Sequence, residues 1–284
     1  MTLGAWLEIW MELYVQPAGL APSTIACYNR AVAAVPQTLR QTPLEELSVL
    51  DVRRWLLQVA ISSPRAAQLD RVMILKALRY AQKAGEAPLG RFDPEMLPKI
   101  DHKPAKAPVL DFEQMRAYMA AASASPAAVP LLLCCCGLRR GEAHGVRWEN
   151  IDFRSGTLTI VGQRIGEELR KLKTDASVRS ITLPDIVMAA IRKQPRQLGG
   201  WVCDLPLTQI YREHRAVLAA AQLPHVTLHG LRHSYATAAV LSGVPIKLVQ
   251  GALGHAHYGL TADLYADHLP PVSAVASKIF PKIS

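Results

Sequence analysis

The stretch Val129–Leu138, VPLLLCCCGL, limits what this chain can fold into more than any other. A helix apolar on every side belongs inside a protein. A bilayer span needs about 20 apolar residues, so this run, the longest of its kind in the chain, is too short to be one. It reads instead as an interior helix, stopped by Gly137. Its adjacent Cys134, Cys135 and Cys136 lack the spaced pairs of a zinc knuckle. They fit small buried thiols in a reducing compartment. The opening MTLGAWLEIWMELY has neither the basic start nor the cleavage site of a signal peptide, so a cytoplasmic location is expected.

With 284 residues, half of them apolar, the chain can bury two cores. The first hundred residues read as helices between capped turns. Trp6, Ile9, Trp10 and Leu13 make a stripe at helical spacing, with Thr2 as cap. Ser23, Ser48 (with Asp51) and Ser63-Pro64 are the next expected helix starts, and Gly85 a stop. On the helix before Gly85, Lys76, Arg79 and Lys83 share one face, suited either to solvent or to phosphate contacts. Prolines and lysines without periodicity mark residues 99–109 as a linker, dividing the chain into 1–98 and 110–284. The second part begins with helices, and its strand patterns follow: GTLTIVG, EELRKLK and SVRSITLP, with the turn residues TDAS between the last two. The fold class is therefore mainly α (α+β), a helical first domain and a mostly helical second one with a small antiparallel sheet.

Several polar residues do not suit such a core, where unpaired groups are costly. TLHGLRHS puts His229, Arg232 and His233 at the start of an apolar helix capped by Thr227. Arg139 follows the glycine that ends the apolar run, with Arg140 beside it as surface decoration and Glu142 placed to orient a neighbouring cation. Gly243, Pro245 and Gly254-His255 punctuate the next helices, and LTADLYADHL sets Tyr265 and His268 on one face. A metal site fits poorly, because a guanidinium lies between His229 and His233 and no glutamate is there as base. A helix-turn-helix in ATAAVLSGVPIKLVQGALG has no use for His229, Arg232 or Tyr265. A phosphate site uses them all: arginines as bidentate donors, imidazoles for protons, a tyrosine as nucleophile and Lys173 as acid. The net charge of +9 agrees with an acidic partner such as nucleic acid.

These residues resemble the boxes of the tyrosine recombinases, most closely the bacteriophage-integrase branch. GLRRGEAHGVRWENIDF resembles the first box, HGLRHSYATAAVLSGVPIKLVQGALGHAH the second, TADLYADHLP the last, and KTDASVRSITLP the hairpin lysine with its strand. The resemblance spans nearly the whole chain. It implies a catalytic set of Arg139, Lys173, His229, Arg232, His255 and Tyr265, supported by Glu142, His233 and His268. It implies that 1–98 is a helical core-type DNA-binding domain, contacting DNA through Lys76, Arg79 and Lys83, and that 110–284 is the catalytic domain. The implied reaction cuts and rejoins DNA attachment sites through a 3′-phosphotyrosyl bond, with no metal, cofactor or ATP. It would integrate or excise a phage or other mobile element, on the nucleoid, as a homotetramer on DNA with accessory DNA-bending proteins and no membrane. The tail PPVSAVASKIFPKIS is expected to pack on a neighbouring subunit, and an extra arm-binding module before Met1 is not expected. Tyr258 reads as packing or loop and Tyr235 as core. The same chemistry would serve a type IB topoisomerase-like relaxing enzyme, and a regulator that has lost catalysis would need only the binding residues.

Overall fold

The computed structural model describes residues 1–86, 92–93, 96–101, 108–171, 178–196 and 199–254. The chain divides into two compact units, Met1–Ala105 and Lys106–Ser284. No helix among the described residues is long and apolar enough to cross a membrane.

The first unit is helical: α1 (Leu3–Trp10), α2 (Pro22–Ala33), α3 (Gln37–Gln41), α4 (Val49–Ser62) and α5 (Pro64–Lys83). Thr2, Ser48 and Ser63 start α1, α4 and α5 with their side-chain oxygens, accepting from Ala5, Leu50 and Ala66 N–H. Ser23 does not cap α2. Pro22 takes the first helical position, which suits its fixed φ, and Ala21 precedes it without a side-chain cap. The apolar stripe of α1 packs its Leu3, Trp6, Leu7 and Trp10 against buried residues of α4 and α5 such as Leu56, Met73 and Ile74. Trp6 also donates its indole N–H to the Ala77 carbonyl at 2.9 Å. Leu13, read as part of that stripe, is instead exposed, because α1 gives way to a π turn over Met11–Val15 that rotates it outward.

In the second unit α6 (Phe112–Ala122) and α7 (Ala128–Cys135) are followed by the short α8 (Arg140–His144). All eight residues of α7 are buried, as an all-apolar helix requires. Then come β1 (Ile151–Asp152), β2 (Thr157–Ile160), β3 (Gly162–Ile165), β4 (Glu168–Lys171) and β5 (Arg179–Thr182). Helices α9 (Asp185–Arg192), α10 (Leu207–Ala220), α11 (Leu228–Leu241) and α12 (Ile246–Leu253) complete the described part. Helix α7 is central and packs on α6, α8, α9, α10 and α11.

The strands form two antiparallel groups, a three-stranded sheet ordered β1-β2-β5 and the hairpin β3-β4. Within the sheet Ile160 faces Arg179 and Leu158 faces Ile181. The expected EELRKLK strand is present as β4, but its partner is β3, in GQRI, which carries too few β-formers to stand out. The turn TDAS lies outside the described residues.

Candidate active site

Gly137 ends α7 with φ +87°, and a side chain there would start 2.7 Å from the Tyr235 ring. Its carbonyl accepts a hydrogen bond from Arg232 Nη1 at 2.7 Å. One glycine thus turns the chain out of the core helix and fixes a guanidinium from α11. Arg139, two residues on, precedes α8, and Glu142 reaches back to its backbone N–H at 2.8 Å. This is the reciprocal half of a capping box, and it turns the carboxylate inward.

Glu142 has a fully buried side chain, and three guanidiniums surround it. Arg139 Nη1 lies 2.8 Å from Oε1, Arg179 Nη2 2.8 Å from Oε2, and Arg232 Nη1 3.7 Å from Oε2. Burial alone would raise its pKa. The hydrogen bonds and charge of Arg179, with the bonds from Arg139, outweigh burial and hold the carboxyl below its ordinary value. Among the described residues three guanidiniums face one carboxylate here, so positive charge predominates in the cluster. A dication would be repelled, and an anion attracted.

The same guanidiniums grip the end of α12, whose last carbonyls have no helical partners. Arg179 Nε donates to the Ala252 carbonyl at 2.6 Å, Arg232 Nη2 to Leu253 at 2.8 Å and Arg139 Nη2 to Gly254 at 3.1 Å. Cations suit this end of a helix dipole. Gly254 closes the helix in the left-handed region, φ +66°.

Thr227 caps α11 as expected, accepting from Gly230 N–H at 2.9 Å. His229 stands exposed at its start, while Arg232, one turn on, is 1% exposed. The rings of His229 and His233 meet edge to face, 4.4 Å between centroids. Partial desolvation of its ring, with the charges of Arg232 and Arg139, lowers the His229 pKa. His233 is lowered to about 4 by burial, His229 and Arg232. Both imidazoles are therefore neutral at pH 7. Behind them, His214 of α10 makes 2.8 Å contact through Nε2 with the carbonyl of Val226. That carbonyl can only accept, so Nε2 carries the proton and Nδ1 accepts from the Tyr118 hydroxyl, 2.7 Å away. The chain leading into α11 is held in place by this buried pair.

A cleft of about 370 Å³ opens here, lined among others by Arg139, Arg140, Gln163, Tyr211, Thr227 and His229. Arg140 is more than decoration. It donates to the Tyr211 hydroxyl and lies over its ring at the cleft wall.

The structure thus brings Arg139, Glu142, His229, Arg232 and His233 together. Lys173, His255, Tyr265 and His268 lie outside the described residues, as do Tyr258 and the tail. Tyr235 is only partly buried and packs on both the main core and the α11–α12 contact. In the first unit Lys76 lies against Tyr28, with Nζ 3.3 Å from its hydroxyl, while Arg79 and Lys83 are exposed. Sequence reasoning missed Arg179 as a site residue. Its signal was present: on β5 it shares a face with Ile181, which packs on the core.

Comparison with known proteins agrees with this geometry. Residues 204–270 match the model of the phage integrase family. The tyrosine recombinase XerD of Proteus mirabilis is 26% identical over 276 residues, 89% of this chain and 84% of that protein. A XerC-like tyrosine recombinase of Caldanaerobacter subterraneus subsp. tengcongensis is 26% identical over 169 residues. That match spans 47% of this chain and 43% of the relative's length. The fold is that of lambda integrase. Its dimer bound to a COC' core site aligns with a TM-score of 0.70 at 19% identity, covering 92% of this chain and 97% of that one. Its tetramer bound to a Holliday junction aligns with a TM-score of 0.70, covering 90% and 78%. With the paired arginines, the histidine-bearing α11 and the glycine-ended α12 in one cluster, the chain is similar in sequence and in fold to the tyrosine recombinases.

Proposed function

We propose that this protein cuts and rejoins DNA at specific sites through a covalent 3′-phosphotyrosyl intermediate, integrating or excising a mobile element. The observation that carries this reading is the cluster of Arg139, Arg179 and Arg232 around the single carboxylate of Glu142, with neutral His229 at the adjoining cleft. Such a site suits a phosphodiester whose negative charge grows in the transition state.

Tyr265 is the nucleophile. Its oxygen bonds to phosphorus as the bond to the 5′ oxygen breaks; His229 takes the phenolic proton, and Lys173 gives a proton to the departing oxygen. Arg139 and Arg232 hold the non-bridging oxygens, and His255 donates to one of them. Glu142 orients the guanidiniums; His233 packs on His229, and His268 supports the nucleophile's helix. The ester keeps the bond energy, so a 5′-hydroxyl from another duplex can reverse the step without ATP or metal.

Residues 1–98 are the DNA-binding domain, with Lys76, Arg79 and Lys83 toward the duplex, 99–109 the linker and 110–284 the catalytic domain. The tetrameric assembly of lambda integrase supports a homotetramer on DNA. A cytoplasmic, nucleoid-bound location and accessory DNA-bending proteins complete the reading.

The test uses a duplex selected from a random-sequence pool by retention on the full chain, then nicked beside the cleavage point. The expected result is a protein–DNA band on a denaturing gel, abolished by Tyr265→Phe with retention of the DNA intact. Tyr211→Phe, at the tyrosine that lines the cleft, should leave the band; the reverse pattern moves the nucleophile to Tyr211.

A further inference from the structure

We propose that Arg179 is a positioning residue for this reaction, acting through Glu142 and the end of α12 to set the guanidinium of Arg139. The inference rests on the recombinase reading above. Arg179 is anchored on the sheet, paired through its backbone with Ile160 of β2. Its side chain is 8% exposed and grips two structures at once. Nη2 and Nη1 meet the two oxygens of Glu142 at 2.8 and 3.3 Å, while Nε meets the Ala252 carbonyl at 2.6 Å.

A lysine cannot reproduce this. A flat fork with five donors spans a carboxylate and a carbonyl together, and a single ammonium does not. The neighbouring backbone is shaped for the fork as well, since a Cβ on Gly254 would sit 2.7 Å from Arg179 Nη1. Each of three consecutive carbonyls, Ala252, Leu253 and Gly254, therefore takes one guanidinium, from Arg179, Arg232 and Arg139 in turn.

Arg139 and Arg179 also share Glu142, so their positions are coupled. With Arg179 gone, Glu142 keeps Arg139 at 2.8 Å and has Arg232 at 3.7 Å to turn toward. That turn would pull Arg139 away from the geometry in which its 36% exposed side chain meets the cleft. The last turn of α12, which leads directly to His255, would lose one of its three anchors.

The experiment measures the single-turnover rate of covalent linkage to the nicked duplex at saturating DNA, alongside DNA retention and thermal unfolding. Arg179→Met is expected to retain DNA and slow linkage about 100-fold, the scale of a misplacement near 1 Å. Arg179→Lys should stay folded, recover part of that loss and remain below the parent. In a Glu142→Gln background, Arg179→Met should add far less than it does alone, because its partner's charge is already gone. Equal losses in both backgrounds would overturn the route through Glu142, and a parental rate in Arg179→Met would overturn the proposal altogether. Should Arg179→Met fail to fold, Arg179→Lys decides: a full rate removes the need for the fork. If the parent chain forms no linkage, it is the recombinase reading that fails.

Discussion

Around Trp6 and Trp10 the first unit fills its interior with aromatic and aliphatic side chains, and Asp70 is its one buried charged residue among those described. The second unit has an apolar core too, around α7, yet it also buries Glu142, Arg164 and Arg232, together with His144 and His214. The first interior needs only shape and volume to hold together. The second spends part of its stability on ionic groups that a hydrophobic packing could replace at no cost. Such groups persist where their arrangement, and not their contribution to folding, is what the protein requires. Of these groups, Glu142 holds Arg232 together with Arg139, which lines the cleft, and the first unit buries no such cluster among its described residues.

The largest effects should come from breaking each interior in its own currency. Glu142→Ala leaves three guanidiniums facing one another, and should destabilise the second unit by about 3–5 kcal/mol. Leu7→Ala, in the first unit, should cost about 3 kcal/mol through lost burial and a residual cavity. Native-state hydrogen exchange on the whole chain separates the two. The first variant should lose protection in α8 and α11 and abolish DNA linkage. The second should lose protection in α1 and α5, weaken DNA retention and leave α11 protected. Loss of protection throughout the chain in either variant would mean that the interiors are not independent.

The same contrast explains which features are legible in the sequence. Ser48, Ser63, Thr227, Gly137 and Gly254 act through atoms a few residues away, so their caps and stops are visible in the sequence. The apolar α7 announces its own burial. Ser23 misled because Pro22 claims the first turn of α2. Leu13 misled because helical periodicity assumes an unbroken α-helix, and a π turn intervenes. Strand β3 was hidden because its evidence is the pairing with β4, not its composition. Arg139 and Arg232 stood out as cations at the ends of apolar helices and took their roles from a family likeness, whereas Arg179 meets Glu142 across 37 positions and Ala252 across 73. The alternation of β5 turns Arg179 to the face of Ile181, but partners so distant are set by topology and no local pattern names them.

Acid should move the two units in opposite directions. Burial raises the Asp70 pKa from 3.8 to about 6, against the pull of Arg30. The folded first unit therefore binds a proton before the unfolded chain does. Its share of stability is fully present below pH 3.8 and is lost as pH rises through about 6. His233 has the reverse sign. Its pKa is depressed from 6.5 to about 4, so its share is present above pH 6.5 and is lost as pH falls toward 4. His229 and His214 are lowered as well and add to that loss, and Glu142, lowered from 4.5, adds to it at more acid pH. Between pH 6.5 and 4.5, protection in α11 should fall relative to protection in α5. Asp70→Asn should flatten the first unit's response and His233→Phe should reduce that of the second. Parallel slopes in the two helices of the parent chain would contradict this assignment.

The smallest effect gives the sharpest comparison, because the chemistry removed is the same in both places. Ser48 caps α4 by accepting from Leu50 N–H at 3.2 Å, and Thr227 caps α11 by accepting from Gly230 N–H at 2.9 Å. Alanine at either position should cost about 1 kcal/mol of stability. The consequences for DNA linkage should differ. Helix α4 carries none of the groups assigned to the phosphate, so Ser48→Ala should keep the parental single-turnover rate at saturating DNA. Helix α11 presents His229 and Arg232 within its first two turns, and the Tyr118–His214 pair already holds the chain just before it. Fraying that end by one hydrogen bond should slow linkage by up to about 10-fold, the rate equivalent of about 1.4 kcal/mol at the transition state. Thr227→Ser, which keeps the accepting oxygen, should restore the rate; failure to do so would assign the effect to the threonine methyl group in the cleft. Equal rates in the two alanine variants would show that the catalytic end of α11 is held by its buried arginine and histidine contacts alone.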